Sequence, residues 1–326
     1  MHHPLQVLKH YWGYDGFRPG QAEVIDSILS GHDTLALMPT GGGKSITFQV
    51  PALANPGICL VISPLVALMK DQVKNLQKRG ILSAFISSEM PHWEILQQLD
   101  NCILGDYKFL YISPERISSE LFQEKLKTLS RKVNLLVVDE AHCISQWGND
   151  FRRDYRLIAD IRDAIPHVQV IAVTASATAA VVADICEQLH FRKGYRIFKT
   201  SFERKNLSFV VRKTDNKLKE ICHILSAVPG SAVIYSRTRK GVEEYAGKLR
   251  AAGISAEYFH AGLDPVLKTE RQADWVKGFT RVLVATNAFG MGIDKGDVRV
   301  VIHTEFPDSM EAYYQEAGRA GRDGKR

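Results

Sequence analysis

Short apolar stretches alternate with longer amphipathic ones along almost the whole chain. In the first 200 residues the apolar stretches are rich in β-branched residues and nearly continuous, which is typical of strands buried on both faces of a sheet. The predicted strands here are Thr34–Met38, Ile58–Ser63, Ala84–Ser87, Phe109–Ile112, Leu135–Val138 and Val168–Val173. Helices are predicted between them, for example over Leu65–Lys78 and Thr178–Leu189. This order predicts a parallel, doubly wound α/β sheet.

The same alternation returns in the second part of the chain. The predicted strands and helices there are Ala232–Tyr235, Gly241–Ala251, Ala256–Phe259, Pro265–Lys277, Val282–Ala285 and Val298–Ile302. Residues 200–206, between the two sets, are charged and poor in apolar side chains, so they are predicted to form a linker. A chain of 326 residues also exceeds the usual size of one hydrophobic core. We therefore expect two α/β domains, residues 1–203 and 204–326.

Composition and charge are those of an ordinary globular protein, with 45% hydrophobic and 24% charged residues. No stretch approaches the ~20 apolar residues of a membrane span, and the N-terminus lacks the pattern of a secretion signal. We therefore expect a cytoplasmic protein with no membrane partner. The net charge is +6, and residues 201–326 carry 21 basic against 16 acidic side chains. This excess favours a phosphate-rich partner without proving one, because many basic proteins bind no nucleic acid.

The cysteines are widely separated and form no CxxC pair, so neither a zinc site nor a redox pair is predicted. Several of them lie in apolar stretches, which favours buried, reduced thiols. The cysteines are Cys59, Cys102, Cys143, Cys186 and Cys222.

A glycine-rich loop follows the first predicted strand. The run Pro39–Ser45 (PTGGGKS) leads into sequence compatible with a helix. Glycines let backbone N–H groups approach phosphate oxygens, and a helix N-terminus favours their negative charge. Lys44 would reach the β- and γ-phosphates, and the Ser45 hydroxyl would bind Mg²⁺. The usual pattern has glycine where Met38 stands, and a glycine-rich turn with a surface lysine is the alternative interpretation.

Two carboxylates, Asp139 and Glu140, follow the predicted strand Leu135–Val138. The carboxyl end of a central strand faces the crevice where ligands bind in open α/β sheets. Asp139 would bind Mg²⁺ there, and Glu140 would orient and deprotonate the water that attacks a phosphate. An acidic strand cap is the alternative, and the phosphate loop upstream makes the catalytic interpretation the stronger one.

These motifs, with four others, resemble the RecQ family of superfamily 2 DNA helicases. The resemblance runs from about Tyr11 to the last residue, with the motifs in the family's order. Besides PTGGGKS and DEAH (Asp139–His142), it is carried by Phe17–Gln21 (FRPGQ), Cys143–Gly148 (CISQWG), Asn287–Ile293 (NAFGMGI) and Gln315–Gly324 (QEAGRAGRDG). It implies two tandem RecA-like domains, each a mostly parallel sheet flanked by helices. The CISQWG and NAFGMGI runs distinguish this family from the RNA-unwinding DEAD-box group.

The resemblance also implies a nucleotide site. Tyr14 and Arg18 would stack on adenine while the Gln21 amide reads its edge, which suits a group that both donates and accepts hydrogen bonds. Asp294 would contact the ribose. The phosphates would lie against Thr40, Gly41, Gly42, Gly43, Lys44 and Ser45.

A second implied surface binds DNA. Trp147 and Phe151 would lie in an aromatic-rich loop that stacks on bases of any sequence, at ~1–3 kcal/mol per base. A hydrophobic hairpin packed on its own domain is the alternative. The chain departs from the family at Asn149, usually histidine, and at Arg153, usually proline or another residue. Because Asn149 cannot be protonated, an imidazole role in DNA sensing is not expected. Further phosphate contacts are assigned to Arg152, Arg153, Arg156, Lys70, Arg239 and Thr286.

Two motifs need a separate comment. Lys70, in Lys70–Gln72 after the turn Ser63–Leu65, could equally be an ordinary exposed lysine. Thr174–Ala177 (TASA) resembles the motif that links the nucleotide site to domain movement.

Catalytic groups are also expected near the C-terminal end of the sequence. Arg319 and Arg322 are three residues apart, so on a helix both would face one direction. By resemblance, Arg322 is an arginine finger for the γ-phosphate, Arg319 lies close to the phosphates and Gln315 senses the γ-phosphate. Surface arginines on a terminal helix are the alternative.

The function implied is an ATP-dependent DNA helicase motor. It would use ATP and Mg²⁺ to move 3′–5′ on single-stranded and forked DNA, as a monomer, in repair and recombination, and the chain is expected to be part of a longer protein without zinc in this segment. A translocase that does not unwind efficiently and a non-catalytic nucleic-acid-binding module are the alternatives.

Overall fold

The computed structural model describes residues 3–39, 41–145, 153–175, 177–201, 203–289 and 295–325. The chain divides into two compact units, Met1–Phe202 and Glu203–Arg326. In both units, every strand pair is parallel.

In the described part of the first unit, seven strands form one sheet in the order β3-β4-β2-β5-β6-β1-β7. The strands are β1 Thr34–Leu37, β2 Ile58–Ile62, β3 Ser83–Ile86, β4 Phe109–Ile112, β5 Val133–Asp139, β6 Gln169–Thr174 and β7 Arg196–Lys199. The helices are α1 Pro4–Trp12, α2 Gln21–Leu29, α3 Lys44–Ala54, α4 Val66–Gln77, α5 His92–Leu104, α6 Glu120–Leu129, α7 Ile158–Ala164 and α8 Ala179–Gln188.

Each face of this sheet has its own hydrophobic core, because successive side chains of a strand point to opposite faces. Leu35 and Leu37 of β1 pack in the core that α5 to α8 cover. Ala36, between them, packs in the core that α1 to α4 cover. Burial on both faces explains why these strands are continuous apolar runs, as the sequence predicted.

The predicted central strands are confirmed to within a residue or two, and β7 was missed. Its sequence, Arg196-Ile197-Phe198-Lys199, has only two apolar residues between two charged ones, and three of its four side chains are exposed. β7 lies at the edge of the sheet beside β1. An edge strand need not be apolar, so the criterion that found the central strands does not find it.

The described part of the second unit contains a four-stranded sheet in the order β11-β8-β10-β9. Its strands are β8 Ser231–Tyr235, β9 Ala256–Phe259, β10 Val282–Ala285 and β11 Val298–His303, all predicted. Its helices are α9 Lys217–Ala227, α10 Arg239–Ala251, α11 Pro265–Lys277 and α12 Met310–Ala317. α9 and α10 cover one face, and Trp275 of α11 packs with Phe289 on the other.

A buried carboxylate joins three elements of the first unit at the amino end of its sheet. Asp33, 1% exposed, accepts hydrogen bonds from the backbone of Val170 (2.9 Å) and Arg192 (2.8 Å). Its oxygens also pair with the guanidinium groups of Arg192 (2.8 Å) and of buried Arg162 (3.2 Å). Burial lowers the pKa of Arg162, which Asp33 opposes. The carboxylate thus ties the start of β1 to the start of β6 and to the chain before β7.

Two further features of the described residues concern the cysteines and the helices. Four cysteines are buried, and burial raises the pKa of the Cys102 thiol to about 12, so it stays protonated. None of the helices in the described ranges is both long enough and apolar enough to span a membrane.

Candidate active site

The phosphate loop is shaped by glycine backbone at the carboxyl end of β1. Gly41 and Gly43 have φ of 77° and 78°, a region that favours glycine. A Cβ at Gly42 would lie 2.9 Å from the carbonyl oxygen of Pro39, and one at Gly43 would collide with the Gln21 amide. No residue other than glycine fits this turn without moving its neighbours, which is the geometry that brings backbone N–H groups to a phosphate.

The residue before this loop, Met38, explains the departure from the usual pattern. Met38 is 1% exposed and packs in the core under α1 to α4. Its N–H donates to the carbonyl of Thr174 at 3.0 Å, which extends the pairing of β1 with β6 by one residue. Met38 therefore completes the strand end, and the glycines that follow form the turn.

Lys44, the first residue of α3, faces the carboxylate pair at the end of β5. Its Nζ lies 3.5 Å from Glu140 Oε1, and both side chains are about 15% exposed. Glu140 has a φ of 47°, which is unusual outside glycine and favours sites where the surrounding structure imposes the backbone. The phosphate-loop lysine and both predicted catalytic carboxylates thus converge at one point, which excludes the surface-lysine interpretation.

Asp139 carries a carboxyl group with a raised pKa. Burial and the negative charge of Glu140 raise its pKa to about 6, although Lys44 and hydrogen bonds from the Glu140 N–H (2.9 Å) and the Ser63 hydroxyl (3.4 Å) oppose the shift. A half-buried carboxylate beside a second carboxylate is a place where a cation is favoured. The oxygen donors of Asp139 and Ser45 suit Mg²⁺, which prefers such ligands.

This raised pKa predicts that Asp139→Asn stabilises the protein at neutral pH. The folded state holds the Asp139 proton more tightly than the unfolded state, whose carboxyl has its ordinary pKa of about 3.9. Stability from this group is therefore full below about pH 4 and is lost as the pH rises through 6. In EDTA at pH 7.5, we expect the substitution to raise the free energy of unfolding by on the order of 3 kcal/mol in urea denaturation. The gain should shrink toward pH 4, and a less stable variant at pH 7.5 would contradict the prediction.

His142 connects the carboxylate pair to the end of β6. Its Nδ1 lies 2.8 Å from the Thr174 hydroxyl and 3.4 Å from Glu140 Oε2. Thr174 begins the TASA segment, so this histidine places the segment against the carboxylates. No role for His142 was predicted from the sequence.

A contact on the backbone of Asp139 was also missed. The hydroxyl of Tyr155, a fully buried residue, donates to the backbone carbonyl of Asp139 at 3.0 Å. Tyr155 follows closely after the predicted aromatic-rich loop in the sequence. In a sequence, a tyrosine whose hydroxyl makes such a hydrogen bond looks the same as a tyrosine that only packs in the core.

The predicted adenine motif lies against the phosphate loop. Gln21 Nε2 donates to the carbonyls of Gly42 (3.3 Å) and Gly43 (3.1 Å), and its Oε1 accepts from the Arg18 N–H at 2.9 Å. Arg18 donates to the carbonyl of Gly41 at 2.8 Å. Tyr14 is 53% exposed. The structure thus places Arg18 and Gln21 at the site and adds a contact to the loop that the sequence did not predict.

The predicted DNA-contacting residues of the first unit are only partly described. Lys70 lies on α4, half exposed, with its Nζ 3.2 Å from Glu89. Such a surface ion pair contributes little to stability, so Lys70 keeps its charge available to a phosphate. Arg156 is also exposed. Some predicted site residues lie outside the described residues, namely Thr40, Trp147, Phe151, Arg152 and Asp294. Asn149 and Ser176, which belong to the motifs, also lie outside them.

In the second unit, the expectation that Arg319 and Arg322 lie on one face of a helix is wrong. α12 carries Gln315 and ends at Ala317, so Arg319 and Arg322 lie in the turns that follow it and not on a helix. The glycines explain the change, because Gly321 has a φ of 57° and its N–H donates to β11 at the Val298 carbonyl.

Arg319 is held inside the second unit. It is 6% exposed, and its guanidinium carbon lies 6.0 Å from the centre of the Phe289 ring. The Tyr235 hydroxyl donates to the Phe289 carbonyl at 2.9 Å. Burial raises the pKa of Tyr235 to about 12, against the effect of Arg319 nearby. Arg319 is therefore not a surface arginine.

The remaining predicted DNA contacts of the second unit lie at the carboxyl ends of its strands. Arg239 begins α10, and its guanidinium lies against Gly262, where a Cβ would come within 2.8 Å. Thr286 follows β10 and is 7% exposed, and its hydroxyl accepts from the Ala288 N–H at 3.4 Å. Both positions stay predictions.

Fold and site together define a P-loop nucleotide-binding architecture with two RecA-like units, as the sequence predicted. Residues 18–185 match the DEAD/DEAH box helicase family, and residues 216–324 match the helicase conserved C-terminal domain. The chain belongs to the DEAD/DEAH box helicases and, among them, to the RecQ family.

Curated relatives agree with this assignment. The chain is 43% identical to the ATP-dependent DNA helicase RecQ of Bacillus subtilis (strain 168), over 99% of this chain and 55% of that protein. It is 41% identical to the Haemophilus influenzae protein of the same name, over 98% and 51%. It therefore spans about half the length of these curated relatives.

The fold is shared with more distant structures. The helicase MrfA bound to DNA matches with a TM-score of 0.78 at 18% identity, over 98% of this chain and 49% of that one. Mss116p bound to single-stranded RNA and AMP-PNP matches with a TM-score of 0.77 at 17% identity, over 100% and 71%. At these identities the likeness shows the fold alone.

Proposed function

We propose that this chain is the motor core of an ATP-dependent DNA helicase, which couples ATP hydrolysis to 3′–5′ movement along single-stranded DNA and to duplex unwinding in repair and recombination. The observation that carries the proposal is the convergence of Lys44, Asp139 and Glu140 at the end of a glycine-shaped phosphate loop. The RecQ relatives, named as ATP-dependent DNA helicases, support the choice of DNA and ATP.

In this proposal the first unit binds the nucleotide. The backbone of residues 40–43 and Lys44 hold the phosphates, while Tyr14, Arg18 and Gln21 hold adenine and Asp294 the ribose. Ser45 and Asp139 would hold Mg²⁺, which when bound neutralises charge on the phosphate oxygens. Glu140 accepts a proton from the attacking water, and His142 keeps the Glu140 carboxylate oriented through its own bond to Thr174.

The second unit supplies positive charge for the transition state. Arg319 and Arg322 neutralise the charge that develops on the γ-phosphate, and Gln315 senses that phosphate. The burial of Arg319 against Phe289 supports this role, because a guanidinium fixed before the reaction pays less entropy during it.

Residues of both units bind the DNA in this proposal. Lys70, Arg152, Arg239 and Thr286 contact phosphates, whereas Trp147 and Phe151 stack on bases. Stacking and phosphate contacts are both tolerant of sequence, which suits a motor that moves along any strand.

Trp147→Ala is expected to reduce the stimulation of ATPase by DNA more than the basal ATPase. Loss of one base stack removes ~1–3 kcal/mol of DNA interaction and leaves the nucleotide site untouched. The measurement is phosphate release with and without single-stranded DNA at saturating ATP. An equal decrease of both rates would indicate that Trp147 packs within its own domain.

Phosphate release also tests the proposal as a whole. The chain should hydrolyse ATP, and single-stranded DNA should accelerate hydrolysis more than single-stranded RNA of equal length. Displacement of a labelled strand from a forked duplex with a 3′ tail, compared with a 5′ tail, tests unwinding and polarity. ATPase stimulated by DNA without displacement would identify a translocase, and the absence of ATPase would refute the motor.

A further inference from the structure

A buried amide on the phosphate-loop helix contacts the helix that carries Lys70. Gln49 lies on α3 and is 3% exposed. Its Nε2 donates to Oε1 of Gln72 on α4 at 3.1 Å and to the hydroxyl oxygen of Tyr111 on β4 at 3.3 Å. One amide group thus joins two helices and a strand of the same unit.

The surroundings make this contact costly to lose. Gln49 lies among the apolar side chains that α3 and α4 bury against the sheet, including Phe48, Val50 and Val73. A buried amide without partners would cost ~1–3 kcal/mol. Burial also raises the pKa of Tyr111 far above its ordinary value, so its hydroxyl stays neutral and available as an acceptor. An apolar residue would fill this space more simply, so the polar pair calls for a functional explanation.

In the proposed function, α3 carries a residue that binds ATP and α4 carries a residue that binds DNA. α3 begins at Lys44, directly after the glycine turn, so its axis follows the position of the phosphate loop. α4 carries Lys70 one turn after its start. The turn before α4 also reaches the nucleotide site, because the Ser63 hydroxyl donates to Asp139 at 3.4 Å. A shift of Asp139 or of α3 therefore reaches α4 at two places, the turn before its start and Gln72 near its middle.

We propose that Gln49 and Gln72 are positioning residues that couple nucleotide binding to DNA binding by fixing α4 to the phosphate-loop helix. The inference rests on the proposed function, since it needs ATP at Lys44 and DNA at Lys70. A hydrogen bond between two rigid helices transmits a displacement in both directions. Because such coupling is reciprocal, nucleotide must strengthen DNA binding by the same factor by which DNA strengthens nucleotide binding.

The variants are Gln49→Met, Gln72→Met and the double substitution, which keep side-chain length and remove the amides. The matched control is Gln77→Met on the same helix, whose Nε2 donates to the carbonyl of Ser83 at 2.9 Å and reaches neither α3 nor the site. The conservative variant Gln72→Glu keeps an oxygen that accepts from Gln49 and should keep the coupling.

Two equilibrium ratios report the coupling. The first is the Kd for an oligothymidine strand with and without AMP-PNP, and the second is the Kd for AMP-PNP with and without that strand. ATPase with and without the strand is measured in parallel. Loss of one hydrogen bond should reduce each ratio about fivefold in both Met variants. The double substitution should reduce them no further, because both act through one bond. Gln77→Met and Gln72→Glu should match the unsubstituted chain.

The outcomes separate this inference from the proposed function. If the unsubstituted chain shows no effect of AMP-PNP on DNA binding and no ATPase stimulation, both proposals fall. If it shows both effects and the Met variants behave like Gln77→Met, only the coupling role of Gln49 and Gln72 is overturned. Gln72 is half-buried, so its substitution keeps the test decisive even where Gln49→Met lowers stability.

Discussion

Lys44→Ala is expected to lower the rate of ATP hydrolysis about a hundredfold or more, while single-stranded DNA binding stays largely intact. The Lys44 ammonium lies beside the Glu140 carboxylate where the phosphate loop meets α3, so its loss removes positive charge from the place where the phosphates are proposed to bind. Phosphate release measures the rate, and fluorescence anisotropy of a labelled oligonucleotide measures binding.

The control for this prediction is Lys125→Ala. Lys125 also pairs with a carboxylate, Asp100 at 2.6 Å, but on helices α6 and α5, away from the phosphate loop. Its substitution should leave ATPase unchanged. An unchanged turnover number in the Lys44 variant would refute the site.

Asp33→Ala is expected to lower the free energy of unfolding by about 3–5 kcal/mol, because it leaves the buried Arg162 guanidinium without its carboxylate. The backbone N–H groups of Val170 and Arg192 also lose their acceptor. Thermal denaturation followed by circular dichroism should show a melting temperature lower by about 10 °C.

A nearby carboxylate on the surface provides the comparison for Asp33. Asp163 lies 3.3 Å from His190, and both side chains are more than half exposed. Asp163→Ala should change stability by less than about 0.5 kcal/mol. Similar losses of unfolding free energy for both substitutions would show that the buried Asp33 network stabilises the protein no more than a surface ion pair does.

Much of the fold could be predicted from the sequence because the central strands are buried on both faces. Such strands, Ile58–Ile62 for example, must be continuous apolar runs, and a run of this kind is visible without coordinates. The edge strand Arg196–Lys199 is mostly exposed and left no comparable pattern. The end of α12 was misjudged at Gly318, because a spacing of three fits both a helix and successive turns.

In the candidate site too, some residues could be predicted from the sequence and others could not. Lys44, Asp139 and Glu140 lie in short motifs whose chemistry depends on neighbours in the sequence, so they could be predicted. The Tyr155 hydroxyl on the Asp139 carbonyl and the Gln49–Gln72 pair join residues 16 and 23 positions apart. Asp33 and Arg162 are separated by 129 positions. Contacts of this kind depend on how the elements pack, which one sequence does not reveal.

If Lys44 binds phosphate and Glu140 accepts the proton, as proposed, their pairing has a consequence for the order of events. A phosphate oxygen that takes the ammonium group must compete with the carboxylate, so one anion replaces another and the lysine is never stripped of its counter-charge. The same exchange releases the proton acceptor from the lysine when the substrate arrives. In the proposed function, the residue that recognises the substrate would thereby also hold back water activation until the substrate binds.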